Sequence, residues 1–136
     1  REGALTRMRV AGNGADVVDL IEDRAAPSAR QSAGSVHHVA FAVPDRAAQE
    51  EVRRGIEAAG LRPTPSIDRD YFRAIYFRTP GGVLFEVATD EPGFARDEAP
   101  EALGTALRLP RQHAHLRPSL VGALEPLPGV AMGAAA

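Results

Sequence analysis

The stretch from Gly34 to Asp45, Gly-Ser-Val-His-His-Val-Ala-Phe-Ala-Val-Pro-Asp, constrains the fold of this chain more than any other. Its apolar run predicts a strand over about 36–43 with two adjacent histidines inside it. At a side-chain period of two, Val36, His38, Ala40 and Ala42 share one face. His37, Val39, Phe41 and Val43 share the other, which is bulky and apolar, whereas the neighbours of His38 are small. Asp45 is a residue whose short carboxylate accepts from an early helical N–H, so it predicts a helix start. Ala48, Val52, Ile56 and Ala59 then recur at helical spacing, with Glu50, Glu51, Arg53, Arg54 and Glu57 on the wet side. Gly60 is placed to end that helix.

A polar turn is expected at Asp68-Arg69-Asp70, then a strand over about 71–78. There Ile75 and Phe77 face one way and Ala74 and Tyr76 the other. Thr79-Pro80-Gly81-Gly82 predicts a tight turn into a last strand over about 83–89. In that strand Val83, Phe85 and Val87 oppose Leu84, Glu86 and Ala88. The helix can cover the face of Val39, Phe41, Ile75, Phe77, Phe85 and Val87. The opposite, concave face would then carry His38, Tyr76 and Glu86 together.

Upstream, Leu5 to Val10 and Val17 to Ile21 read as two strands, joined through Gly12-Asn13-Gly14, whose Asn-Gly pair favours a tight hairpin. Residues 22–33 lack a period and read as a linker. After Asp90 come a loop, a short helix capped by Asp97 and running to about Leu109-Pro110, a polar stretch, a short amphipathic segment within 119–127 and a frayed tail over 129–136. The expected fold class is α+β: a βαβββ module over 34–92, preceded by a β-hairpin and linker over 1–30 and followed by a short helical tail over 93–136.

Composition narrows the chemistry. The 136 residues contain no cysteine, which excludes disulfides, thiolate metal sites and a Cys nucleophile. A net charge of −2 points to neither nucleic acid nor an anionic membrane as partner. No apolar stretch approaches the ~20 residues that span a bilayer. No charged-then-apolar leader opens the chain, and the expected location is cytoplasmic. The first residue is Arg1, and the hairpin has no helix before it, so residues upstream are expected.

His38 has two readings: a core histidine bonded to backbone, or a metal ligand through a neutral ring nitrogen. Glu86 favours the second, because a glutamate in an apolar strand needs a partner. The alternatives for Glu86 are a neutral carboxyl or an ion pair with Arg78 or Arg69. Regular strand parity turns His37 away from His38, towards a supporting role. Tyr76 shares the Glu86 face and Arg69 sits in the polar turn; taken alone, one is a wall residue and the other a solvated charge. His113-Ala114-His115 has a spacing compatible with metal but lies in a polar linker. Gly12-Asn13-Gly14 and Gly81-Gly82 precede no helix, so they are turns rather than phosphate loops.

The strings Val-His-His-Val-Ala-Phe from Val36, Asp-Arg-x-Tyr-Phe from Asp68, and Leu-Phe-Glu-x-Ala-Thr-Asp from Leu84 resemble the vicinal oxygen chelate superfamily. Within it the similarity is to ring-cleaving dioxygenases of the hydroquinone 1,2-dioxygenase type. The resemblance spans about residues 4–128 and is most specific from Gly34 to Phe94. It implies paired βαβββ modules around a divalent metal. It makes His38 and Glu86 metal ligands, and His37, Arg69 and Tyr76 site residues. The implied metal is Fe(II), with Mn(II) or another divalent ion as alternatives, held by two histidines and one carboxylate. The implied reaction opens a hydroquinone or catechol-like ring with O2. Arg69 would hold a phenolate oxygen, Tyr76 would donate a hydrogen bond or move a proton, and His37 would orient a ligand or act in acid–base transfer.

The family's second histidine ligand has no counterpart in this sequence. The chain therefore resembles the C-terminal part of the family's polypeptide, to be completed by N-terminal modules or a second copy. Two other functions follow from the same superfamily: a glyoxalase- or resistance-type metalloenzyme, and a non-catalytic small-molecule-binding module. The dioxygenase strings favour the first function, and the absent ligand favours the last.

Overall fold

The structure is a computed structural model that describes residues 4–9, 16–27 and 30–133. The anticipated turn at Gly12-Asn13-Gly14 lies outside the described residues. The chain divides into two compact units, residues 1–35 and 36–136.

In the first unit β1 (Ala4–Arg9) pairs antiparallel with β2 (Val17–Glu22), Leu5 opposite Ile21 and Arg7 opposite Asp19. Arg7 grips Asp19 through two hydrogen bonds of 2.7 Å across the ladder. Leu5, Met8, Leu20 and Ile21 remain exposed. Two strands by themselves are marginal in water.

The second unit is α+β. A four-stranded sheet runs in the order β3-β6-β5-β4, with β3 (Val39–Val43), β4 (Ile67–Asp68), β5 (Arg73–Arg78) and β6 (Leu84–Thr89). β3 lies parallel to β6, while β6–β5 and β5–β4 are antiparallel. α1 (Arg46–Ala58) connects the first strand to the rest, giving the expected βαβββ order. Asp45 caps it by accepting from the Ala48 N–H at 2.8 Å. Gly60, at φ 80°, supplies the left-handed conformation that turns the chain out of the helix.

The helix-side face holds Ile75 and Val87, both buried, with Phe85 packed edge-on against Phe41 and Phe77. The deepest helical side chain is polar. Gln49 is buried, and its amide nitrogen donates to the Arg73 carbonyl at 2.8 Å and the Val87 carbonyl at 2.9 Å. Its amide oxygen accepts from the Ser66 hydroxyl at 2.7 Å. The apolar row beside it is more open: Val52 stays exposed.

Several boundaries differ from expectation. β3 begins at Val39, so His37 and His38 precede the strand and are exposed rather than embedded in it. The polar turn contains a two-residue strand, Ile67–Asp68, paired with β5. Asp97 does not start an α-helix. The chain forms 3₁₀ turns at Phe94–Arg96 and Pro100–Ala102, because prolines and Gly104 interrupt any longer helix. A third 3₁₀ segment, Arg111–Leu116, leads into α2 (Arg117–Ala123). The tail is tied down as far as Ala131, whose N–H donates to the Thr105 carbonyl and whose carbonyl accepts from Leu107, both at 2.8 Å.

Candidate functional site

Strand register assembles the site. Glu86 on β6 stands opposite Tyr76 on β5 and beside Ala40 on β3, so these three share a row on the face away from α1. His38 reaches the same place from just ahead of β3. Its Nε2 lies 2.8 Å from Glu86 Oε2. The Glu86 side chain is 6% exposed and that of His38 is 35% exposed, so the carboxylate is deep and the imidazole forms the rim. The other oxygen, Oε1, accepts from the Tyr76 hydroxyl at 3.0 Å. Neither Arg78 nor Arg69 pairs with Glu86: Arg78 donates to the Gly82 carbonyl, and Arg69 donates to the Tyr76 hydroxyl at 3.3 Å. The Arg69 guanidinium also lies 5.5 Å from the Tyr76 ring centre.

His37 closes the other end of this string. Its Nδ1 is 2.9 Å from Nδ1 of His38, and the rings meet edge-on. Strand parity had turned it away from His38; ahead of the strand, parity no longer applies. All five residues singled out from the sequence thus form one polar string, Arg69–Tyr76–Glu86–His38–His37. Burial pushes the Tyr76 phenol above its ordinary pKa. The Arg69 hydrogen bond works against that shift and Glu86 adds to it, so Tyr76 is a protonated donor at neutral pH. His113 and His115 lie exposed in the third 3₁₀ segment, and no cluster of three or more His, Cys, Asp or Glu suited to a metal occurs among the described residues.

His38 and Glu86 also line an open cavity of about 380 Å³, within the range of small-molecule sites. Ala40 and Ala88 leave its floor free of bulk, and Tyr71, Phe72 and Phe94 contribute aromatic walls. These three aromatics were not among the residues singled out. The signal for Phe94 was a large apolar residue directly after a Pro-Gly turn. Gly93, at φ 83°, donates its N–H to the Tyr71 carbonyl at 2.9 Å, and a Cβ there would sit 3.3 Å from the Asp90 carbonyl oxygen.

Behind that wall is a buried ionic knot. Asp70, the non-glycine residue at positive φ (71°) among the described residues, is 1% exposed at its side chain. Its carboxylate accepts from the Arg96 guanidinium at 2.7 Å, and from the Arg111 guanidinium and backbone N–H at 2.6 and 2.7 Å. Burial would raise the Asp70 pKa, but the Arg111 hydrogen bonds and the two positive charges outweigh it and hold the carboxyl below its ordinary value.

Comparison with known proteins places this geometry. Residues 1–87 match the model of the glyoxalase/bleomycin resistance protein/dioxygenase superfamily. The chain belongs to that superfamily. MhqO of Bacillus subtilis (strain 168), by name a ring-cleaving dioxygenase, is 45% identical over 83% of this chain and 36% of its own length. The chlorohydroquinone/hydroquinone 1,2-dioxygenase of Sphingobium indicum is 39% identical over 74% of this chain and 32% of its own. A crystal structure described as a dioxygenase from B. subtilis superposes with a TM-score of 0.80 at 43% identity, covering 93% of this chain and 40% of that one. The chain spans about a third of the length of the curated relatives it matches. Ring-cleaving dioxygenases of this superfamily generally use a metal. No helix among the described residues is long and apolar enough to cross a membrane.

Proposed function

We propose that this chain carries part of the Fe(II) site of a ring-cleaving dioxygenase, which opens a hydroquinone or catechol-like aromatic with O2. The observation that carries this reading is the convergence of His38 Nε2 and Glu86 Oε2 at one end of a cavity with aromatic walls. One imidazole nitrogen and one carboxylate oxygen are a donor set suited to Fe(II), Mn(II) or another divalent ion of similar preference. They supply two of the three ligands of a two-His-one-carboxylate site. The remaining histidine comes from outside the described residues, in N-terminal modules of a longer polypeptide or in a second copy. In this reading residues 1–30 close a preceding module, 34–92 hold the metal, and 93–136 form a covering tail.

A metal held by His38 and Glu86 would supply a common binding point for an ionised dihydroxyaromatic and O2 and a route for electron density between them. The protein's own residues prepare that meeting. With the proton of His38 on Nδ1, donated to the His37 Nδ1 at 2.9 Å, the Nε2 lone pair is the one free for a metal. Tyr76 holds Glu86 Oε1 in place, leaving Oε2 directed towards His38. Arg69 keeps the Tyr76 hydroxyl oriented and puts a positive charge where a phenolate oxygen would gain a charge-assisted bond. Tyr76, protonated at neutral pH, can donate to an oxygen of the substrate or pass a proton to it.

Anaerobic titration of the full chain with Fe(II), followed by O2 uptake with hydroquinone, tests this function. Wild type is expected to bind the metal, and His38→Ala and Glu86→Ala to lose it. Metal binding unaffected by Glu86→Ala would remove the basis of the proposal.

A further inference from the structure

The cavity beside Glu86 has two chemically different ends, and only one belongs to the polar string. At the other, Phe94 lies nearly parallel to Tyr71, with ring centres 5.4 Å apart and planes 23° apart, and Phe72 is tilted against it at 6.3 Å. Phe94 is 61% exposed. A large aromatic left this open is not there to fill a core. Its position is nevertheless closely held. Gly93 donates to the Tyr71 carbonyl, the Arg96 guanidinium lies 5.2 Å from the Tyr71 ring centre and pairs with buried Asp70, and the Tyr71 hydroxyl donates to Asp97 at 3.0 Å. An exposed ring fixed against its neighbours from several directions is preorganised to meet a ligand, since little side-chain freedom is left to lose on contact.

We infer that Phe94, stacked on Tyr71 and held by the Asp70–Arg96 pair, is the specificity-determining wall that receives the ring edge of the aromatic substrate and any apolar substituent on it. This rests on the ring-cleaving function proposed above. A dihydroxyaromatic whose oxygens lie at the His38–Glu86 end turns its remaining carbons towards the aromatic end, across a floor of Ala40 and Ala88 that offers no obstruction. Aromatic faces and edges attract such carbons by dispersion and quadrupole contact, whereas Asp70 and Asp97 together balance the Arg96 and Arg111 guanidinium groups. Phe94 lies beyond the residues matched to the superfamily model, whereas Tyr71 and Phe72 lie within them. Asp70 and Arg96 are positioning residues that act through Phe94 and Tyr71.

The test is anaerobic calorimetric binding of hydroquinone and of 2-methylhydroquinone to the full chain in the presence of Fe(II), comparing wild type, Phe94→Ala, Phe94→Tyr and Glu86→Ala. Because Phe94 is exposed, its truncation leaves the core intact. Phe94→Ala is expected to weaken 2-methylhydroquinone about three- to tenfold, the scale of one aromatic contact, and hydroquinone by less. Phe94→Tyr keeps the ring and restores wild-type preference. An unchanged ratio of the two affinities in Phe94→Ala, with binding still lost in Glu86→Ala, overturns the wall and leaves the ring-cleaving function standing. Binding of neither ring by wild type overturns both.

Discussion

His38 and Glu86 illustrate how little a residue's type says until its partners are known. A carboxylate as deep as Glu86 would be costly to leave ionised by itself. Here its two oxygens are divided between an imidazole and a phenol. The division has a consequence for each supporting side chain. His37→Ala frees the Nδ1 end of His38 and should weaken Fe(II) or Mn(II) binding about tenfold or more, the usual scale for a residue that orients a metal-bound histidine. The measurement is calorimetric, with His38→Ala as the complete-loss reference. Tyr76→Phe removes the donor to Glu86 Oε1 without changing the ring. If Tyr76 also moves a proton, ring opening should fall by about 100-fold or more in O2 uptake, while metal affinity changes much less.

At the scale of elements, two polar devices join the pieces of the second unit. Gln49 fastens α1 to the ends of β5 and β6, and no hydrophobic residue could satisfy Arg73 O, Val87 O and the Ser66 hydroxyl together. Gln49→Ala should cost about 1–3 kcal/mol, read as a lower urea midpoint. Asp70 fastens the segment after β6 to the turn before β5. Its folded pKa is depressed, so its contribution is present above the ordinary carboxylate pKa, about 4, and is lost as pH falls through the lower folded value. Acidification below pH ~4 should therefore release residues 93–97 and 111–116 before the sheet opens, seen as faster amide exchange in those segments. Asp70→Asn should produce the same pattern at neutral pH.

For the whole molecule, the decisive number is the ligand count. Under the proposed function His38 and Glu86 would by themselves hold a divalent ion loosely, and a third ligand from another module would raise the affinity of the same residues. Supplying the remainder of a relative-length polypeptide should tighten Fe(II) binding at His38 and Glu86, and the tightening should vanish in Glu86→Ala. Much of this was legible beforehand. Period-two alternation placed Tyr76 and Glu86 on one face, and Asp45 and Gly60 marked the helix ends, because side-chain direction in a strand and the unpaired amides of a helix terminus are local properties. Other features were not. The start of β3 differs because Val36 carries the alternation ahead of the first ladder pair, Val39 with Phe85, and pairing depends on where β6 begins.

By itself, then, the sequence determined the βαβββ order, the face that carries Tyr76 and Glu86, and the superfamily, since all of these rest on local periodicity and short residue strings. Tertiary structure alone decided that His37 touches His38, that Asp70 is the anchor of the C-terminal segment, and that Phe94 looks into the cavity. The first depends on where β3 begins, which its pairing with β6 sets, and the other two on contacts between residues far apart in the chain, where burial and charge pairing are settled by which segments meet.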